Sequence, residues 1–118
     1  MHGVPHDLGL DALHGAELTQ VAIGLFQVQF HFHPAAWLAV EGEWRLLDED
    51  GGQIERWTVD SDWGTRPTVV HQRVGHRIVS SSIFVPDSFA LQFDDGIVLR
   101  VFDSSGEFES FSFNGRYV

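Results

Sequence analysis

The chain has 118 residues, 43% of them apolar, with ten Phe and four Trp, so it has the length and apolar content of one folded domain with a real core. Cysteine is absent, which excludes disulfides, thiolate zinc sites and cysteine nucleophiles. Seventeen acids against seven Arg give a formal charge of −10, a field that repels nucleic acid and anionic membranes and draws in a basic partner. No apolar run approaches the roughly 20 residues that span a bilayer. The N-terminus lacks the basic and apolar regions of a signal peptide, so a cytoplasmic protein is expected.

Residues 1–13 mix His, Gly, Pro and Asp and read as an N-terminal arm or short frayed helix. A first β-unit follows, residues 14–60. Leu18, Val21 and Ile23 suit a strand, and Gly24 marks a bend or bulge. From Leu25 to His33 the alternation is strict: Phe26, Val28, Phe30 and Phe32 point one way, Gln27, Gln29, His31 and His33 the other. Pro34 ends that strand. Trp37–Val40 and Glu43–Leu47 form two short strands or one bent one, and Asp48-Glu49-Asp50-Gly51-Gly52 turns the chain into Ile54–Val59 as a hairpin.

Residues 61–75 read as loop and then one short helix, about Pro67 to Val74, with Pro near its first position and Gly75 just past its end. A strand over Thr68-Val69-Val70 is the other reading. The second β-unit, residues 76–118, holds a strand from Arg77 to Val85, an alternating Phe89/Leu91/Phe93 strand, an Asp95-Gly96 hairpin turn, a return from Ile97 to Phe102 and a last strand from Glu107 to Phe113. The two units echo one another. Arg45-Leu46-Leu47-Asp48-Glu49-Asp50-Gly51 recurs fifty-five residues on as Arg100-Val101-Phe102-Asp103-Ser104-Ser105-Gly106, Gly15 matches Gly75, and Phe26–Phe30 matches Phe89–Phe93. The expected fold is mainly β: two tandem antiparallel β-meander repeats forming a sandwich or partly open barrel, with one short helix between them.

Chemistry is sparse. His31-x-His33 places two imidazoles on one strand face, two positions of a possible metal site that needs a third ligand. Beside Gln27 and Gln29, the plainer reading is a solvated polar face; the alternative function is a small-ligand or metal-binding β-domain that uses Gln27, Gln29, His31 and His33. The Asp48 run lacks the spacing of a calcium loop. Ser80-Ser81-Ser82 has no nucleophile-elbow context, and there is no phosphate-cradling glycine loop or basic stripe. An enzyme is not expected, nor a cofactor. Residues 41–62 instead carry eight acids (Glu41, Glu43, Asp48, Glu49, Asp50, Glu55, Asp60, Asp62) against Arg45 and Arg56. Trp44, Trp57 and Trp63 lie in that window, and Trp63, between Asp62 and Gly64, suits an interface anchor. The candidate partner-binding residues are therefore Asp48, Glu49, Asp50, Asp60, Asp62 and Trp63, facing a basic protein. The Phe-rich last strand, Phe108 to Phe113, offers an edge for homo-oligomers.

The Gly15…Ile23-Gly24 opening, Leu91-Gln92-Phe93-Asp94-Asp95-Gly96, Leu99-Arg100-Val101 and the closing Glu109-Ser110 together resemble small acidic β-rich bacterial domains. Domains of this kind occur as immunity-like proteins beside secreted toxins. The resemblance implies a toxin domain as the partner and supplies no catalytic residues.

Overall fold

A computed structural model describes residues 10–24, 27–34, 36–58, 68–84 and 87–102, and the backbone of 111–113 and 116–117. The strands are β1 (Glu17–Ile23), β2 (Val28–His33), β3 (Ala36–Val40), β4 (Trp44–Leu47), β5 (Gln53–Trp57), β6 (Ile78–Phe84), β7 (Ser88–Phe93), β8 (Val98–Phe102), β9 (Phe111–Phe113) and β10 (Arg116–Tyr117). They form two antiparallel sheets, ordered β1-β2-β3-β9-β10 and β5-β4-β8-β7-β6. The mainly β expectation holds, as a sandwich and not a closed barrel.

The period-two patterning of the sequence explains the burial. Val28, Phe30 and Phe32 on β2, and Phe89, Leu91 and Phe93 on β7, point between the sheets and are buried. Leu38, Val40, Leu99 and Val101 join them. Phe30 meets Trp44 edge-on with ring centres 6.1 Å apart, and Trp44 stacks on Trp57 at 6.3 Å. Each such side chain contributes about 1.5–3 kcal/mol by leaving water.

The internal repeat is real, but it is built by exchange. In each half a 3-10 turn (Leu10–Leu13, Val70–Arg73) precedes a three-strand meander, β1-β2-β3 or β6-β7-β8. Each half's last two strands then cross to the opposite sheet: β4 and β5 extend β8, while β9 and β10 extend β3. Each sheet is three strands from one half and two from the other. The halves meet where β1 and β6 begin. Gly15 N–H donates to Ile78 O at 2.7 Å and Gly75 N–H to Leu18 O at 2.8 Å, two bonds that mirror each other across a Glu17–Arg77 bridge. The bulges also correspond, Leu18/Gln20 and Ile78/Ser80.

Four expectations are corrected. Arg45-Leu46-Leu47 and Arg100-Val101-Phe102 are not equivalent positions but neighbours, with Arg45 opposite Arg100 in the β4–β8 ladder. Their likeness reflects what one strand pair on one sheet needs, not the repeat. The Phe match is slipped by two. Leu18 lies opposite Phe32 as Ile78 lies opposite Phe93, so Phe30 corresponds to Leu91, and Phe26 is outside the described residues. A slip of two leaves every side chain on its face, which is why sequence comparison tolerates it. The expected helix at Pro67–Val74 is, in its described part, a single 3-10 turn at Val70–Arg73, and residues 10–13 of the arm form another whose Leu10 and Leu13 are buried. Apolar contact with the sandwich, not helix propensity, holds both turns. Finally, β9 lies between β3 and β10 and is no edge.

Among the described residues no helix is long and apolar enough to cross a membrane.

Candidate functional site

The β4–β5 turn carries the first three sequence-predicted residues, and they divide by role. Asp48 is committed to the turn: its Oδ1 accepts the N–H of Asp50 at 2.9 Å and of Gly52 at 2.7 Å. A Cβ on Gly52 would lie 2.6 Å from Asp48 Oδ2, so the small residue is needed there. Glu49 and Asp50 stay exposed.

Because β4 pairs with β8, this turn lies beside the β7–β8 turn, Asp94-Asp95-Gly96. Glu49 packs against Gly96, where a Cβ would sit 3.2 Å from Glu49 Cβ. The two tips make one end of the second sheet, with five carboxylates: Asp48, Glu49, Asp50, Asp94 and Asp95. By local pattern Asp94 and Asp95 are hairpin residues. Their proximity to Asp48 depends on the β4–β8 crossover, which no local pattern announces.

The acids of the second tip are partly neutralised. Arg73, buried in the second 3-10 turn, places Nη1 2.6 Å from Asp95 Oδ2, with its guanidinium 5.6 Å from the Phe93 ring centre. His76 Nδ1 lies 2.7 Å from Asp94 Oδ1, and its Nε2 lies 3.8 Å from Asp95. The hydrogen bond with His76 holds the Asp94 carboxyl below its usual range. For Asp95, burial pushes upward, but the Arg73 and Ile97 N–H hydrogen bonds outweigh it and the net shift is down. Among the described residues no Arg pairs with an acid of the first tip: Arg45 and Arg56 turn instead to Glu43, at 2.7 and 3.2 Å.

His76, Asp94 and Asp95 can each offer one ligand atom within 4.8 Å of the others. Arg73 already holds the place beside Asp95 that a cation would take, so the group is an Arg73–Asp95 ion pair joined to a His76–Asp94 hydrogen bond. His31 Nε2 sits 3.0 Å from Gln29 Oε1 and His33 is exposed on the same strand. Among the described residues no third His or carboxylate gathers with them. Trp44 and Trp57 are core residues. Glu55, counted with the surface acids, is buried: it accepts the Trp57 Nε1–H and, at 3.1 Å, the N–H of Val69. Asp60, Asp62 and Trp63 lie outside the described residues.

Comparison with protein-family models, with curated proteins and with solved structures finds no match to this chain.

Proposed function

We propose that this chain is a non-enzymatic protein-binding module that covers the cationic active site of a bacterial toxin domain, as immunity-like proteins of the kind it resembles do. The observation that carries the reading is the acidic end of the second sheet, where two hairpin tips meet through Glu49 and Gly96. Glu49 and Asp50 are exposed at that end, and among the described residues no Arg pairs with either, as Arg73 does with Asp95. Carboxylates so placed suit a basic active site, and their field speeds the encounter.

The test is whether the neighbouring reading frame encodes a toxin-like domain that binds this chain, followed by kinetics against salt. Glu49→Lys with Asp50→Lys is expected to slow association by about tenfold at low salt and to flatten its salt dependence. An unchanged rate and salt slope would remove the acidic-end reading.

A further inference from the structure

The outer face of the second sheet is chemically unlike the rest of this acidic chain. Register places Arg56, Arg45 and Arg100 in one row across β5, β4 and β8. Like charges directly opposite on neighbouring strands repel, and among the described residues the row has one carboxylate partner, Glu43, which serves Arg45 and Arg56 together. Arg100 has no carboxylate partner among the described residues. Its Nε–H donates at 3.0 Å to the hydroxyl of Ser88, a side chain with 0% exposure, and its guanidinium stacks on Phe84 at 4.5 Å and Phe102 at 5.1 Å. Arg45 lies over the same Phe102 ring at 4.8 Å.

We infer that this face, centred on Arg100, docks an acidic segment of another protein. A guanidinium fixed by a buried hydroxyl and two rings loses little freedom when it accepts a carboxylate on its open edge. The surroundings are those of an interface: Phe84 is 44% exposed and Ile54 45%, and no Lys interrupts the Arg and aromatic residues. Among the described residues of this face, three guanidiniums to one carboxylate leave local positive charge in a chain of net −10. At 0.15 M salt the screening length is about 8 Å, so the local charge prevails at contact distance. The surface is independent of the acidic end and can be tested without the toxin partner.

The probe is a blocked hexaglutamate peptide, titrated into the isotope-labelled protein at 0.15 M salt while the Arg100 Nε–H and backbone resonances are followed. Shifts confined to Arg100, Arg45 and Phe84 are expected. Arg100→Lys, which keeps the charge but loses the fork and the stacking, should weaken binding about tenfold, and Phe84→Ala, at an exposed position, should weaken it severalfold. No shift with the peptide, or equal binding by Arg100→Lys, overturns the inference. Tighter binding of N-acetylglutamate amide or of inorganic phosphate overturns it in favour of a small-anion site. A native dimer that Arg100→Lys dissociates overturns it in favour of a second copy of the chain.

Discussion

Glu17 and Arg77, 60 positions apart, face each other as an isolated antiparallel bridge and are also joined by a 3.4 Å ion pair. Arg77 further donates from Nη1 to Gly15 O at 3.0 Å, so one side chain ties the start of both halves together. The ion pair is solvent-exposed, and such pairs contribute about 0–1 kcal/mol. The backbone bonds around it carry more of the joint.

Those bonds need Gly15 and Gly75 in the left-handed region, at φ +83° and +95°. No atom lies within 4 Å of a Cβ at either position, so Gly→Ala costs conformational strain alone, about 1 kcal/mol. The two variants should lose equal stability by urea unfolding. A much larger loss in one would mean that the halves are not equivalent at this joint.

Glu55 is an acceptor shared by two donors, the Trp57 indole and the Val69 amide. Glu55→Ala should cost about 1–3 kcal/mol, because both donors lose this acceptor. Glu55→Gln, which keeps one carbonyl oxygen, should cost less. Denaturant melts followed by tryptophan fluorescence check the order.

Acid should weaken the fold through Glu43 and Asp95. Burial raises the Glu43 carboxyl, but hydrogen bonds from Arg56 and Arg45 lower it further, and Asp95 is lowered against burial chiefly by Arg73. A carboxyl lower in the folded than the unfolded chain stabilises above its unfolded pKa, about 4. That contribution fades as pH falls through the folded value. Stability should therefore be flat from neutral pH to about 5 and decline below about 4. Arg73→Met should make the decline shallower.

Phe30 has no exposed surface and meets Trp44 at a right angle at the centre of the sandwich. Phe30→Ala should cost about 3–5 kcal/mol through lost burial and the cavity left behind. Thermal unfolding checks it against Phe84→Ala on the outer face, expected to cost far less.

Alternation was enough to read β2 and β7, because a half-buried strand must repeat every two residues, and turn residues marked the Gly51-Gly52 hairpin and the Asp95-Gly96 hairpin that returns as β8. The same local chemistry identified Glu49 and Asp50 as surface acids. It could not show that Asp48 is consumed by its own turn, that Glu55 is buried, or that Asp94 and Asp95 belong to the same end. Those facts follow from which strands become neighbours.

Composition and pattern by themselves determined a mainly β chain in two similar halves with a Phe-rich core. The exchange of β4–β5 and β9–β10 between sheets was decided only in three dimensions, since pairing is a contest among distant segments with equally good strand patterns. That exchange sets Arg45 beside Arg100 and Glu49 beside Gly96, and so creates both the basic face and the acidic end.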